Sequence, residues 1–165
     1  MSVIPSVDLQ DFLSGNNVKK EKFINEIGDA FESIGFVALS GHFLSESLVT
    51  ELSDEIKKFF NLPQVVKDKY EIEGIGGQRG YTSFGKEHAK GRKEGDLKEF
   101  WHFGQYVEDS PKLAKEYPDN ILVEELPQFN VIGKETYKML EKTAKYVLRA
   151  LALHLGLEEN YFDDY

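Results

Sequence analysis

The longest regular pattern in the sequence is a stripe of apolar and small side chains near its C-terminal end. The stripe recurs every three or four positions and consists of Phe129, Ile132, Thr136, Leu140, Thr143, Val147, Leu151 and Leu155. This spacing places its members on one face of an α-helix, so a long helix is expected at about 127–155. Because one face of that helix is apolar, the rest of the chain must supply a surface that covers it.

Shorter patterns predict two more helices and a few short strands. The helical faces are Phe23, Ile27, Phe31 and Ile34, followed by Leu48, Leu52, Ile56 and Phe59. Strands are expected around Val3, Ile4 and Val7 at a sheet edge, over residues 36–39 as a buried strand, and over residues 100–107. The expected fold class is α+β, with helices packed on a few short strands. A length of 165 residues suits a single domain over 1–165.

Charge and composition argue against several classes of function. A net charge of −9 disfavours nonspecific nucleic-acid binding and polybasic attachment to a membrane. The absence of cysteine excludes disulfide scaffolds, Cys-type zinc sites, iron–sulfur clusters and thiol catalysis. The first residues lack the pattern of a secretion signal, and the most apolar stretch, residues 146–157, is too short to span a bilayer. A cytoplasmic protein is therefore expected.

Local motifs for metal or nucleotide binding are missing from the sequence. The four histidines, at positions 42, 88, 102 and 154, form no His-x-Asp, His-x-His or His-Glu-x-x-His pattern, so no metal ligand is assigned. Residues 80–87 approach a phosphate-binding loop, but Glu87 stands where a magnesium-ligating hydroxyl is required. A solvated, self-neutralising face is favoured for the alternating charges Lys93, Glu94, Asp96, Lys98 and Glu99.

The segment 74–95 holds seven of the 14 glycines and shows no regular period, so a long loop is expected there. Bases concentrate in and just after its second half, at Lys86, Lys90, Arg92, Lys93 and Lys98. Arg79 and Tyr81 combine a fixed cation with a phenol, a pair that suits an acidic small molecule. The alternative, which spacing alone favours, is a surface ion pair of Arg79 beside a core Tyr81.

Two stretches of this region, together with shorter pieces elsewhere, resemble one enzyme family. They are residues 77–91, GQRGYTSFGKEHAKG, and residues 96–104, DLKEFWHFG. The shorter pieces are residues 4–9, 34–37, 59–63 and 155–162. The ordered set is similar to the N-terminal region of the isopenicillin N synthase-like family of non-haem Fe(II)/2-oxoglutarate-dependent oxygenases, and the similarity runs nearly end to end.

The resemblance implies a fold divided between this chain and a second domain. In the family, the N-terminal part leans on a C-terminal double-stranded β-helix, or jelly roll. That domain holds iron through a His-x-Asp…His triad and 2-oxoglutarate usually through an Arg-x-Ser pair. Neither motif occurs in this sequence, so the jelly roll is expected to be absent and no cofactor to be bound by this chain. The expected partners are the missing β-helix domain and, in the full-length enzyme, a small-molecule substrate.

The resemblance assigns only substrate-binding roles to residues of this chain. The family segment that matches Arg79, Tyr81 and Lys98 lids or lines the mouth of the substrate site, which implies substrate binding for these three residues. No catalytic, cofactor-binding or metal-binding residue is assigned. The expected function is that of the N-terminal domain of an oxidoreductase acting on a small organic substrate, inactive alone because the metal site lies beyond residue 165.

Two other functions stay open. A stand-alone interaction module would use the apolar face that the β-helix otherwise covers to bind a partner or a second copy. A small enzyme for acidic ligands would be centred on Arg79 and Tyr81.

Overall fold

The described residues are 4–88, 90–91, 94–107 and 115–163 of a computed structural model, and they belong to two units. The first unit comprises residues 1–45 and 138–165, and the second comprises residues 46–137. Each unit has its own hydrophobic core. The fold class is α+β with short strands. The single domain expected over 1–165 stays a prediction.

A parallel pair of three-residue strands lies in the first unit. Strand β1, Ser6–Asp8, pairs with strand β2, Ala38–Ser40. This confirms a strand near Pro5, while Val3 of that prediction lies outside the described residues. The buried strand expected over residues 36–39 is wrong in position and burial, because the strand starts at Ala38 and Phe36 is 68% exposed. Among the described residues this sheet has two strands, so each strand has one edge without a neighbouring strand.

Two helices lie between β1 and β2 in the chain. Helix α1, Leu9–Leu13, starts where the Asp8 carboxylate accepts a hydrogen bond from a backbone N–H of its first turn. Helix α2, Asn17–Ser33, starts in the same way at Asn16. The buried residues of the first unit's core are Val7, Leu9, Phe12, Phe23, Ile27 and Ala150. The predicted helical face is therefore confirmed for Phe23 and Ile27. It is wrong for Phe31, which is 40% exposed, and Ile34 follows the end of α2.

Before residue 127, the described residues of the second unit form helical segments and an antiparallel pair of strands. Its elements are α3, Glu46–Phe60; α4, Gln64–Lys67; a 3₁₀ turn, Asp68–Tyr70; β3, Gly80–Thr82; and β4, Phe100–His102. In the strand pair Tyr81 lies opposite Trp101. Aromatic rings fill the core, and the Phe59 ring centroid lies 4.7 Å from that of Trp101 and 5.3 Å from that of Phe129.

Two expectations for this unit need correction. The segment 74–95 is not loop throughout, because β3 lies within it. The strand expected over residues 100–107 ends at His102. Shortly after that end, the Asn120 side chain binds both backbone groups of Gly104, at 2.8 Å from its N and 3.0 Å from its O. These groups are therefore bound to a side chain instead of a neighbouring strand.

The long helix expected at about 127–155 is α5, Pro127–His154. Its residues 127–137 belong to the second unit and residues 138–154 to the first. Within the part of the chain that the structure describes, no helix has both the length and the apolar character needed to cross a bilayer.

Candidate functional site

The Arg-Gly-Tyr sequence at 79–81 brings the chain into β3 by a turn that only glycine allows. Gly80 has a φ of +76°, a region that other residues rarely adopt. A Cβ atom at this position would also lie 2.5 Å from the backbone oxygen of Tyr70. Glycine at position 80 thus permits the conformation in which Arg79 and Tyr81 are both buried, with 7% and 1% of their surfaces exposed.

Tyr81 belongs to a polar group that we call the Lys67–Glu99 cluster: Gln64, Lys67, Tyr81 and Glu99. Lys67 and Tyr81 are buried, Glu99 is partly buried and Gln64 is exposed. The Tyr81 hydroxyl donates a hydrogen bond of 2.6 Å to Oε2 of Glu99, and Lys67 Nζ lies 2.7 Å from the same oxygen. Gln64 donates to the Tyr81 hydroxyl at 3.1 Å. Lys67 is only 5% exposed, so this ion pair lies largely out of water.

The cluster shifts the pKa values of Tyr81 and Glu99. Burial, together with the hydrogen bond to Glu99, raises the pKa of Tyr81 to about 12. Burial tends to raise the pKa of Glu99, but the hydrogen bonds from Lys67 and Tyr81 outweigh it, and the net pKa lies below the ordinary 4.5. At neutral pH Tyr81 is therefore a neutral donor and Glu99 an anion. The cluster therefore holds the Tyr81 hydroxyl in position as a neutral donor, and Tyr81 is not a general base at neutral pH.

Arg79 lies in different surroundings. Its Nη1 donates a hydrogen bond of 2.7 Å to the backbone oxygen of Gln78, whereas its buried Nε has no hydrogen-bond partner among the described residues. No carboxylate in this part of the chain forms an ion pair with its guanidinium. A Cβ atom built on Gly104 would lie 1.7 Å from Cζ of Arg79, so the guanidinium occupies the space that glycine leaves open.

Lys98 lies on the surface. Its Nζ is 2.7 Å from Glu87 and 3.4 Å from Asp96, and its side chain is 51% exposed. The solvated face expected for the nearby charges is therefore confirmed for Asp96 and Lys98. The same expectation is wrong for Glu99, whose carboxylate forms an ion pair with Lys67. Arg92 and Lys93 of the same basic segment lie outside the described residues.

The structure thus does not join the three predicted substrate residues in one contact network. Among the described residues, no hydrogen bond or ion pair links Arg79, Tyr81 and Lys98 to one another. Their role in substrate binding stays a prediction. Sequence reasoning missed Lys67 and Gln64 as partners of Tyr81 and Glu99, because the contacts join residues 17 to 32 positions apart.

A cavity of about 500 Å³ lies beside β3. Its lining includes Tyr81, Thr82, Gly77, Glu71, Lys86 and Glu87. The Glu71 carboxylate is held in place because it accepts hydrogen bonds of 3.0 Å from both N and Oγ of Ser83. The wall therefore presents the held carboxylate of Glu71, further carboxylates, the ammonium group of Lys86 and backbone, which suits a small polar molecule.

The described residues contain one group with metal-ligating side chains in reach of one another. It lies in the first unit, where ligand atoms of Asp29, Glu32 and His154 fall within 4.8 Å of one another. His154 Nε2 is 3.3 Å from the Glu32 carboxylate. The group offers two carboxylates and one imidazole, whereas oxygenases of the facial-triad type use two imidazoles and one carboxylate. These residues do not fit such an iron site.

Comparison with known proteins assigns the chain to a family. Residues 4–125 match the family model described as "non-haem dioxygenase in morphine synthesis N-terminal". A 2-oxoglutarate-Fe(II) type oxidoreductase of Aspergillus fumigatus is 27% identical over 96% of this chain and 49% of its own length. The chain spans about half the length of the curated relatives it matches.

Solved structures likewise match nearly the whole of this chain over about half of their own length. A protein from Caulobacter crescentus, described as of the 2OG-Fe(II) oxygenase family, matches with a TM-score of 0.84 and 34% identity, over 99% of this chain and 52% of that one. A full-length protein of Neurospora crassa, solved in complex with alpha-KG, matches with a TM-score of 0.78 and 26% identity over 99% of this chain and 47% of its own. Both neighbours are about twice as long as this chain.

Proposed function

The chain belongs to the family of non-haem dioxygenase N-terminal domains, and on that premise we propose that it forms the N-terminal half of an Fe(II)/2-oxoglutarate-dependent oxygenase. The complete enzyme would oxidise a small organic substrate with O₂ while 2-oxoglutarate is decarboxylated. The observation that carries the proposal is the extent of the match. Nearly the whole chain, 96%, corresponds to only 49% of a relative named as an oxidoreductase of this type.

The proposal places the iron and 2-oxoglutarate ligands outside residues 1–165. The sequence contains no His-x-Asp pair and no Arg-x-Ser triplet. The group of Asp29, Glu32 and His154 has the wrong ligand composition for the family's iron site. The chain alone would therefore be inactive, and its contribution would be to support and border a site that a C-terminal β-helix domain completes.

On the substrate side, we keep Arg79, Tyr81 and Lys98 as the proposed contacts. Tyr81 lines the cavity beside β3, and its hydroxyl is already held by Glu99. It would therefore shape the cavity wall with a ring in fixed orientation. Lys98 is exposed and would meet an anion only in exchange for Glu87 or Asp96. Arg79 differs from Lys98 in having no carboxylate partner among the described residues.

The test compares this chain with a longer product of its gene. The DNA downstream of codon 165 should continue in frame and encode a His-x-Asp pair followed by a further histidine. The longer product should bind one Mn(II) per chain in calorimetry and should consume O₂ only when Fe(II) and 2-oxoglutarate are present. The chain of 165 residues should do neither.

Two controls make the comparison decisive. His154→Ala in the longer product should leave metal binding unchanged, whereas alanine at the histidine of the His-x-Asp pair should abolish it. Stoichiometric, micromolar Mn(II) binding by the 165-residue chain would contradict the proposal. A stop codon after Tyr165 would also contradict it and would favour the stand-alone interaction module.

A further inference from the structure

Arg79 carries a buried charge that has no opposite charge beside it among the described residues. It is 7% exposed, and no carboxylate in that part of the chain pairs with it. A buried guanidinium is costly unless an anion and further hydrogen bonds compensate for the water it has lost. Such a group therefore either destabilises the fold or forms a binding site for an anion that the described residues do not supply.

The hydrogen bonds of Arg79 show which donors are still available. Nη1 is committed to the backbone oxygen of Gln78 at 2.7 Å, whereas Nε has no partner among the described residues. Nε and Nη2 form one edge of the planar guanidinium, and their parallel N–H bonds match the two oxygens of a carboxylate. The free donor thus lies on an edge that recognises a planar anion with two oxygens.

The guanidinium is held in its position by the backbone next to it. The missing side chain of Gly104 provides its space, since a Cβ atom there would lie 1.7 Å from Cζ. The Gly104 peptide is itself fixed by two hydrogen bonds to Asn120, of 2.8 and 3.0 Å. A donor edge held in this way loses little conformational freedom on binding, which favours affinity.

We propose that Arg79 binds a single carboxylate group. This inference rests on the proposed function, because Arg79 is one of the proposed substrate contacts and the inference names the chemical group that it binds. A carboxylate is favoured over a phosphate dianion because Arg79 offers one positive charge in a chain of net charge −9. The carboxylate has two potential sources. It belongs either to a small acid that binds the enzyme or to a side chain of the polypeptide that completes the fold.

The experiment observes the arginine Nε–H groups directly by NMR in the ¹⁵N-labelled protein. The chain has three arginines, at positions 79, 92 and 149, so each signal can be assigned by substitution. Acetate and succinate should shift the Arg79 signal saturably. Arg149 should not respond, because its Nε and Nη2 already bind Asp163 at 3.1 and 2.6 Å. Sodium chloride at equal ionic strength should not reproduce the shift of Arg79.

The same spectrum of the longer gene product distinguishes the two sources. An Arg79 signal already shifted before any acid is added, and insensitive to acetate, assigns the carboxylate to the polypeptide. A signal that moves only when acid is added assigns it to a small molecule. An Arg79 signal that is unshifted and unresponsive in both proteins overturns the proposal.

Variants test the geometry of the site separately from its charge. Arg79→Lys keeps the charge but removes the two-donor edge and should weaken succinate binding at least tenfold. Gly104→Ala should have a similar effect, because its methyl group displaces the guanidinium. Arg149→Gln, which removes the same charge elsewhere, should leave binding unchanged.

Equal succinate affinity in Arg79→Gln and the unsubstituted chain would overturn the proposal. Binding is measured here without metal or oxidation, so this failure would leave the proposed oxygenase function standing. Conversely, a gene that ends after Tyr165 would remove the oxygenase function without affecting the carboxylate measurement.

Discussion

Two buried cations lie close to strand β3, and they differ in whether an anion accompanies them. Lys67 is 5% exposed and has Glu99 at 2.7 Å. Arg79 is 7% exposed and, within the described part of the chain, binds only the backbone oxygen of Gln78. Two cations with nearly equal burial are therefore expected to affect stability in opposite directions. At Lys67 the charge is part of a satisfied network that holds the strand pair to α4, whereas at Arg79 it is an unbalanced charge that disfavours the isolated fold.

The largest expected effect tests the paired cation. Lys67→Met should lower the free energy of unfolding by about 3 kcal/mol, because it leaves the partly buried Glu99 carboxylate without its counter-ion. Urea denaturation with linear extrapolation measures the change.

The matched control for Lys67→Met removes both charges of the pair. Lys67→Met combined with Glu99→Leu should recover most of the loss, since replacing both partners by apolar groups is often close to neutral. Lys98→Gln, at a surface ion pair, should leave the urea midpoint unchanged. A Lys67→Met variant as stable as the unsubstituted chain would show that the pair contributes no net stability.

The next effect concerns the hydroxyl of Tyr81. Tyr81→Phe should lower the free energy of unfolding by about 1.5 kcal/mol, because Glu99 loses one charge-assisted hydrogen bond and Gln64 loses an acceptor. The same substitution at Tyr117, which is 41% exposed, serves as the control and should have no effect. Equal stability of both variants would mean that water replaces the hydroxyl at no cost.

The unpaired cation should respond with the opposite sign. Arg79→Met should raise the free energy of unfolding by about 1 kcal/mol, because it removes a buried charge without leaving an anion behind. Thermal and urea denaturation of this variant, beside Lys67→Met, compare the two cations directly. A destabilised Arg79→Met variant would indicate that the chain itself supplies an anion to this guanidinium.

The smallest effect is the dependence of stability on pH. The pKa of Glu99 is lowered in the folded chain, so its contribution is present above the ordinary value of 4.5 and is lost as the pH falls through the lower folded pKa. Urea denaturation from about pH 7 down to about pH 3 should show the stability difference between the unsubstituted chain and Glu99→Gln shrinking below the ordinary value. A difference that stays constant over this range would mean that Glu99 titrates alike in both states.

Local sequence patterns predicted the helices well and the strands less well. Phe23 and Ile27 are buried as their spacing predicts, because a helical period depends only on neighbouring turns, whereas Phe31 of the same predicted face is 40% exposed. β3 was missed within a glycine-rich segment, since its three residues, Gly80–Thr82, are too few for a period of two to be recognised. Its pairing with β4 joins residues about 20 positions apart, which local patterns do not contain.

For the candidate site, the sequence identified the right segment but not its contacts. The sequence pairs Arg79 with Tyr81 because a fixed cation and a phenol together suit an acidic small molecule, yet the structure gives them separate surroundings. Glu99 was expected on a solvated face, since Lys98 stands beside it and charges usually lie in water. Its partner is Lys67, which lies 32 positions away in the chain.

By itself, the sequence determined the main helices, the α+β class, the acidic charge, the absence of thiol chemistry and the resemblance to one enzyme family. These properties depend on residue types and on spacing along the chain. Only the tertiary structure decided that Lys67 is neutralised and that Arg79 has no carboxylate beside it among the described residues. That difference depends on which groups come together after burial, because loss of water makes the distance to one opposite charge decisive for a buried cation.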